Sequence, residues 1–216
     1  MQQQNKIINI KNQIEDFCNK KNITFKKVSI ENIDLSYEIS TNNQKFIEFI
    51  EYIKNHDSLK FDLLTDLFAT DYIKEKNIFE ISYNLLSLKN NKRLMLKIPI
   101  NEKEEAMSIT KIYSCSVWYE REIFDMFGIK FNGLKDHRRI LTDYNFEGHP
   151  LRKDFPLTGK YQIKYDTDEN KIIREDVSLL QEYREFNFES SWKGYIENNL
   201  DKENIPILPG DEKASK

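Results

Sequence analysis

The chain has 216 residues, of which 39% are hydrophobic and 32% are charged, and its formal net charge is -3. This length suits one ordinary domain with appendages. The small negative net charge argues against a general binder of nucleic acid, which would carry a basic excess on one face. No apolar run approaches the roughly 18 to 20 residues that a membrane-spanning helix needs. We therefore expect any membrane association to be indirect, through partners.

Cys18 and Cys115 stand apart in the sequence, and neither has a second Cys or a His at metal-ligand spacing. We therefore expect no disulfide, no zinc or iron–sulfur site and no cofactor bound by this chain itself. The first residues, "MQQQNKIINIKNQ", lack both the apolar core of a secretory signal and the Arg- and Ser-rich composition of a transit peptide. The expectation is a protein that is made in the reducing compartment where it acts.

The first part of the chain predicts a helix, two strands and a second helix. Ile7, Ile10 and Ile14 recur at helical spacing and indicate a first amphipathic helix over residues 7–20. The second helix should begin at Thr41, whose hydroxyl is suited to capping. The segments for the two strands and the second helix are "ITFKKVSI", "DLSYEIS" and "NNQKFIEFIEYIKN".

Three further strands are predicted in "LKFDLLTDLFATDY", "NIFEISYNLLSL" and "RLMLKIPI", the last two joined as a hairpin by the turn "KNNK". The next segment, "EKEEAMSITKIYS", fits either a short helix or a connector. A helix should then run from Ser116 to Gly128, because glycine favours the left-handed conformation that ends many helices.

The element order predicts an α+β fold, in which a mixed or antiparallel sheet has helices packed on one face and is followed by an extended C-terminal arm. We assign a globular α+β domain to residues 1–130, an extended partner-binding arm to residues 131–196 and a polar tail to residues 197–216. The arm is punctuated by Gly and Pro and shows no sustained period. Within it, a small hairpin around Thr167–Lys171 should need a neighbour for its second face.

Arginine is concentrated in one part of the chain. Arg121, Arg138, Arg139 and Arg152 lie between Glu120 and Pro156, whereas lysine carries most of the positive charge elsewhere. The planar guanidinium matches carboxylates in a bidentate geometry that lysine cannot provide. This distribution favours a docking surface.

A catalytic interpretation of the same block starts from Glu120, Glu122 and Asp125, since paired carboxylates can serve as general acid and general base. The simpler interpretation is a charged helix face, because Arg121 and Asp125 are four residues apart and can pair with each other. The sequence contains no nucleophile-elbow context and no glycine-rich phosphate cradle. A structural or interface role is therefore favoured.

His149 precedes Pro150 and follows Gly148, which predicts a sharp turn leading into extended chain. With no second ligand nearby, a hydrogen bond from His149 to the backbone or to a partner is favoured over metal ligation. If the chain stays extended, one face packs and the other face carries Arg152 and Asp154. The packing face would hold Leu151, Lys153 and Phe155.

The segments "WYEREIFDMFGIKF", "RRILTDYNFEGHPLRKDFPLTGKY" and "EYREFNFESSW" closely resemble the signature of one family, the C subunit of proton-pumping NADH:quinone oxidoreductase, respiratory complex I. This family is called NADH dehydrogenase subunit 9 when mitochondria encode it. The resemblance covers roughly the C-terminal half. The chain departs from the family pattern at Leu134, Lys135, His137 and Ser191.

The resemblance implies a non-catalytic subunit of the peripheral arm, without cofactors of its own, in a complex that uses NADH, FMN, iron–sulfur clusters and ubiquinone. Its implied partners are other peripheral-arm subunits, chiefly the large subunit that shares the quinone pocket. The implied location is the matrix side of the mitochondrial inner membrane, with the cytoplasmic face of a bacterial plasma membrane as the alternative. An equivalent subunit of a membrane-bound hydrogenase or of another dehydrogenase also fits the resemblance.

The predicted partner interface consists of ten charged or titratable residues, namely Glu120, Arg121, Glu122, Asp125, Arg138, Arg139, His149, Arg152, Lys153 and Asp154. Two alternatives of other classes are a free-standing hydrolase that would use Glu122, Asp125 and His149, and a nucleic-acid-binding module. The first would show turnover by the isolated chain, and the second would show binding that weakens steeply with salt.

Overall fold

The computed structural model describes residues 2–30 and 33–178, with the side chains of residues 2–6 and 43 left aside. The predicted tail, the segment "EYREFNFESSW" and the position of Ser191 lie outside the described residues. The first helix, α1, spans Gln2–Lys20, and the first two strands are β1 (Thr24–Lys27) and β2 (Leu35–Ser40). Their order agrees with the prediction.

Helix α2 spans Asn43–Asn55 and is capped by Asn42, not by Thr41 as predicted. The Asn42 side-chain oxygen accepts a hydrogen bond from the Lys45 N–H at 2.9 Å, which satisfies one of the donors that a helix start leaves open. Asparagine and threonine are both good caps, so the sequence did not distinguish the two adjacent positions.

The predicted hairpin is present as β4 (Ile78–Ser87) and β5 (Lys92–Asn101), with β3 (Leu63–Tyr72) beside β4. A single helical turn, α3 (Ile73–Lys76), separates β3 from β4 and was not predicted. Asn77 ends this turn in the left-handed conformation at φ 57°, which asparagine tolerates better than most residues.

The main sheet has five strands in the order β1-β2-β5-β4-β3. β2 pairs with β5 in parallel, and the other neighbours are antiparallel, so the sheet is mixed. One face forms the core: Tyr37 meets Glu15 of α1, and Tyr83 packs against Phe46 of α2 at a ring-centroid distance of 5.2 Å. The predicted α+β class with helices on one face is confirmed.

The ambiguous segment after β5 contains a short strand, β6 (Ala106–Met107), which pairs in parallel with β7 (Phe131–Asn132). Helix α4 (Ser116–Phe127) lies between these two strands in the chain. The β6–β7 pairing therefore connects the segment before the helix to the segment after it. Phe131 and Leu134 are buried in the core beyond the predicted domain limit at residue 130. The domain limits stay a prediction.

The hairpin predicted around Thr167–Lys171 is present as β8 (Tyr161–Asp166) and β9 (Lys171–Asp176), which form a separate two-stranded sheet. Ile163, Tyr165 and Ile172 are exposed on it. Alternation along each strand places Tyr161 on the same face as Ile163 and Tyr165. The guanidinium of Arg174 lies 4.7 Å from the centre of the Tyr161 ring, on this apolar face.

Gly128 ends α4 at φ 81°, as predicted, and its N–H donates to the Phe124 carbonyl at 2.9 Å. A Cβ atom at this position would lie 2.7 Å from the imidazole ring of His149. Gly133 also has a positive φ, of 94°, but a Cβ there would meet only the Ser108 Cβ at 3.7 Å. The two glycines therefore share the backbone requirement and differ in the space beside them.

We expect Gly128→Ala to destabilise the isolated chain more than Gly133→Ala does. Both substitutions place a side chain at positive φ, which costs about 1 kcal/mol or more. Only Gly128→Ala must also displace His149. Urea unfolding of both variants measures the difference, and equal losses would show that His149 does not pack against the helix end in solution.

Candidate partner interface on helix α4 and the loop that follows it

The segment 136–157, which we call the anchored loop, is attached to α4 through the carboxylate of Asp125. One oxygen, Oδ2, accepts the N–H groups of three consecutive residues, Ile140 at 3.1 Å, Leu141 at 2.8 Å and Thr142 at 2.9 Å. The other oxygen, Oδ1, accepts Arg139 Nη1 at 2.7 Å and the Thr142 hydroxyl at 2.5 Å. Consecutive N–H groups that converge on one anion form a nest, which fixes the local backbone.

Asp125 is fully buried, yet it is held as a carboxylate. Burial alone would raise its pKa, but the hydrogen bonds from Thr142, Arg139 and Leu141 together outweigh burial and hold the pKa of Asp125 well below its usual range. Asp125 is therefore ionised in the folded chain, and its negative charge binds groups of the same chain.

Arg121 does not pair with Asp125, contrary to the prediction from their spacing, because the loop has taken both oxygens of that carboxylate. Arg121 instead donates from Nε to the Arg138 carbonyl at 3.0 Å and from Nη2 to the Arg139 carbonyl at 3.3 Å. Its Nη1 lies 3.6 Å from Asp136 Oδ2. The buried guanidinium thus holds the main chain of the anchored loop just before the nest.

Arg138 is exposed and forms a two-point contact with Asp136, at 3.0 Å from Nε and 2.8 Å from Nη2. The same carboxylate accepts the Arg138 N–H at 3.0 Å. These bonds lower the pKa of Asp136, with the side-chain bond to Arg138 as the largest cause. Because both groups face solvent, this pair contributes little to stability by itself.

His149 bonds to the backbone, as expected, and not to a second titratable side chain. Its Nδ1 lies 3.0 Å from the Asp125 carbonyl oxygen, and its ring meets the edge of Phe124 at a centroid distance of 6.0 Å. Arg139 Nη2 donates to the Gly148 carbonyl at 3.0 Å. The loop therefore returns to the end of α4 at a second point.

The extended chain predicted after Pro150 is wrong, since residues 150–155 form successive turns. The Leu151 N–H donates to the Met126 carbonyl at 3.1 Å, and the Phe155 N–H donates to the Arg152 carbonyl at 3.0 Å. The main chain bends here because its donors satisfy the open carbonyls at the end of α4 and within the turns. Leu151 consequently faces outward and does not share a packing face with Phe155.

Arg152, Lys153 and Asp154 connect the anchored loop to the sheet domain. Arg152 bonds to Asp154 at 2.8 Å and to Glu102 at 2.5 Å. The Lys153 N–H donates to Asp71 Oδ2 at 2.8 Å, at the end of β3. The pairing predicted for Arg152 and Asp154 is present, and it lies within the chain.

Glu120 is fully buried on the core side of α4. Its Oε1 accepts the Ile109 N–H at 2.9 Å and the Ser116 hydroxyl at 3.0 Å, whereas Oε2 has no hydrogen-bond partner among the described residues. Burial raises the pKa of Glu120 against the lowering effect of these bonds. Glu120 thus holds the connector that precedes α4.

Glu122, Asp125 and His149 do not converge into an acid–base site. Glu122 is exposed, Asp125 is buried with both oxygens occupied, and the Nδ1 of His149 bonds to a main-chain carbonyl. A general base needs a free lone pair within reach of its substrate. This arrangement does not support the hydrolase hypothesis.

Among the side chains that α4 and the anchored loop expose, several are large and apolar. They are Trp118, Ile140, Leu141, Tyr144, Leu151 and Leu157. Tyr144 and Leu157 are 73% and 77% exposed. The sequence analysis placed Leu151 on a packing face and did not single out Trp118, Leu141 or Tyr144. Their exposure depends on tertiary structure, since Leu141 lies between loop residues whose donors bind Asp125.

Within residues 2–30 and 33–178, no helix has the length and apolar character that a membrane crossing requires. The same residues contain no group of three or more His, Cys, Asp or Glu side chains placed to hold a metal ion.

A one-sided α+β domain with an internally bonded loop that exposes apolar side chains has the features of a subunit of a larger assembly. Comparison with known proteins identifies the family. Residues 39–161 match the family model for "Respiratory-chain NADH dehydrogenase, 30 Kd subunit". The chain belongs to this family, which confirms the resemblance seen in the sequence.

Similar proteins include the C subunit of NADH-quinone oxidoreductase from Rickettsia typhi, which is 49% identical over 203 residues, 94% of this chain and 97% of that protein. The C subunit from Ruegeria pomeroyi is 42% identical over 180 residues, 83% of this chain and 84% of that protein. Among solved structures, a chain of the membrane-bound sulfane sulfur reductase, an archaeal respiratory membrane complex, has a similar fold. Its TM-score is 0.55 at 24% identity, over 68% of this chain and 85% of that chain.

We expect Asp125→Asn to lower the free energy of unfolding at pH 7 by about 3 kcal/mol, because it removes one partner of a buried ion pair. The stabilisation by Asp125 is complete above the ordinary carboxyl pKa of about 4 and is lost as the pH falls below it toward the depressed folded-state pKa. The difference in the free energy of unfolding between wild type and Asp125→Asn should therefore become smaller in acid. Asp57→Asn, which removes an exposed contact with Lys60 at 3.7 Å, is the control.

Glu120→Gln should have the opposite effect to Asp125→Asn on the free energy of unfolding. Ionised Glu120 costs stability because its folded-state pKa is raised, and this cost grows as the pH rises from about 4 through the raised value. The variant should therefore gain stability relative to wild type between pH 4.5 and pH 8, as measured by urea unfolding. Glu122→Gln, on the exposed side of the same helix, should follow wild type at both pH values. A loss for Glu120→Gln that is larger at pH 8 would contradict this assignment.

Proposed function

We propose that this chain is a non-catalytic structural subunit of the peripheral arm of respiratory complex I, and that it supports the quinone-reducing module and electron transfer from NADH to quinone. The observation that carries the proposal is the anchored loop: its charges bond within the chain, while its large apolar side chains face outward. Membership of the 30 Kd subunit family supports the same function.

The loop is suited to assembly because it is ordered before any partner arrives. Asp125, Arg121 and His149 hold its backbone at three points. Binding then costs little further ordering of the main chain, and the gain comes from covering apolar surface. Leu141 lies at, and Tyr144 just after, the residues whose N–H groups bind Asp125. We therefore take these two as the anchors of the surface, since aromatic and large aliphatic residues in the centre of an interface carry most of its energy.

In this proposal the ten predicted interface residues have two roles. Arg121, Asp125, Arg139 and His149 act from inside by fixing the loop, and Glu120 acts from inside by fixing the connector before α4. The remaining five are exposed or partly exposed at the rim of the loop. The five are Glu122, Arg138, Arg152, Lys153 and Asp154. The partner-binding arm proposed for residues 131–196 would extend this surface through the apolar face of the β8–β9 hairpin.

The proposed partners are other peripheral-arm subunits, chiefly the large subunit that shares the quinone pocket. NADH, FMN, the iron–sulfur clusters and ubiquinone would be bound by those subunits. Attachment to the membrane would be indirect, through the complex. The relatives from Rickettsia and Ruegeria support the cytoplasmic face of a bacterial membrane. The matrix side of the mitochondrial inner membrane stays a prediction from the sequence.

An equivalent subunit of a hydrogenase or of another dehydrogenase would share this fold, as the archaeal neighbour does. The relatives that are 42% and 49% identical are named as subunits of NADH-quinone oxidoreductase, which supports NADH as the electron donor. Composition and the net charge of -3 give no support to a nucleic-acid-binding module.

The double substitution Leu141→Ser/Tyr144→Ser should impair assembly without unfolding the chain. Both side chains are exposed, so the free energy of unfolding of the isolated subunit should stay close to that of wild type. Native electrophoresis of detergent-solubilised membranes should show several-fold less assembled complex, with NADH:quinone activity reduced in proportion.

Ile8→Ser, at an exposed apolar position on α1, is the matched control and should assemble normally. A fully assembled complex at normal abundance in the double variant would overturn the assignment of this surface. Assembled complex with lost quinone reduction would instead indicate a direct catalytic role.

A further inference from the structure

A groove of about 290 Å³ runs between β3 and α4, apart from the centre of the anchored loop. Asp66, Leu67, Phe68 and Ala69 line it from the strand, and Leu151 closes one end. Side chains of consecutive strand residues point to opposite faces, so four in a row meet one cavity only along the edge of the strand. The opposite wall consists of Glu122, Ile123, Met126 and Phe127 of α4.

β3 is the last strand of the five-stranded sheet, so the main-chain groups on its outer side are not used by the sheet. At this edge the Leu67 N–H donates at 2.8 Å to Asp66 Oδ1. Main-chain groups alternate in direction along an antiparallel strand, so every second residue of an edge strand such as β3 directs its N–H and C=O away from the sheet. An open edge of this kind favours an extended chain as the occupant.

The groove is apolar inside and exposed at its mouth. Ile123, Met126 and Phe127 are buried in its wall, while Phe68 and Leu151 remain 37% and 56% exposed beside it. Trp118, four residues before Glu122 on the same helix face, is 58% exposed. A medium-sized apolar side chain from a partner would fill the groove, and the outer aromatic rings would cover it.

The charge at the rim is negative. Asp66 and Glu122 stand on the two walls, and neither forms an ion pair within the part of the chain that the structure describes. Burial raises the pKa of Tyr119, and the negative charges of Asp66 and Glu122 raise it further. Two unpaired carboxylates at the mouth of an apolar groove are complementary to a basic residue next to an apolar one.

We propose that the groove between β3 and α4 binds an extended segment of a neighbouring subunit, in which an apolar side chain enters the groove and an adjacent Lys or Arg pairs with Asp66 and Glu122. This inference rests on the proposed function, because it assigns a second contact of the same chain within an assembly. The groove would add a contact at the edge of β3 that combines apolar packing with ion pairs, whereas the surface of the anchored loop contributes mainly apolar side chains.

The direct test is photo-crosslinking in the assembled complex. A photoreactive phenylalanine analogue replaces Phe68 in the full chain, the complex is irradiated in solubilised membranes, and mass spectrometry identifies the attached peptide. The expected product is one peptide of another subunit that contains a basic residue beside an apolar one. The same analogue at Ile8, on α1, should not attach to that peptide.

Charge reversal supplies the second test. Glu122→Lys should weaken retention of this chain in the complex about tenfold in a salt-wash series, because it places like charges together at the groove. Glu51→Lys, an exposed acidic residue on α2, is the matched control and should be retained as wild type. The isolated chain should unfold at the same urea concentration in all three forms, so that a loss of retention reports contact and not misfolding.

The outcomes separate this inference from the proposed function. If the chain assembles normally but the Phe68 position attaches to no other subunit, to a second copy of this chain or to its own residues 179–216, the groove assignment is wrong and the structural role stands. If the wild-type chain does not enter a respiratory complex, the proposed function itself fails.

Discussion

The structure of the anchored loop depends on one carboxylate placed where a helix ends. Asp125 lies in the last turn of α4 and accepts three consecutive main-chain N–H groups of the anchored loop. A loop of this length would otherwise leave its donors to water and sample many conformations. With a buried anion at its centre it has one defined path, and the positions of Arg121, Arg139 and His149 follow from that path.

In this arrangement the charged residues and the apolar residues of the loop have different roles. Of the ten charged or titratable residues predicted at the interface, Arg121, Asp125, Arg139 and His149 stabilise the loop from within, where low exposure makes each bond stronger. The groups that would remain for a partner are the charged side chains at the rim and the exposed apolar rings and chains, which gain from being covered. In the proposed function the arginine-rich block would therefore build the docking surface, and its buried arginines would contribute by holding backbone carbonyls of the loop.

Hydrophobic periodicity along the chain and the residues typical of turns and helix ends were sufficient to predict the fold class, the β4–β5 hairpin, the β8–β9 hairpin and the left-handed end of α4. Each is set by neighbouring residues, such as the alternation from Leu94 to Ile100. The sequence could not predict the partner of Arg121, because the helical spacing to Asp125 competes with loop donors brought by tertiary structure. It also missed the pairing of β6 with β7, since two-residue strands carry no period.

That small parallel pair has a mechanical consequence. The pairing of β6 with β7 joins the chain before α4 to the chain after it, and Phe131 of β7 is buried in the core. Phe127 at the end of α4 also meets Phe79 of β4 at a ring-centroid distance of 6.2 Å, so the helix is tied to the five-stranded sheet as well. If the anchored loop and the groove between β3 and α4 both contact neighbouring molecules, this domain would fix the distance between the two contacts.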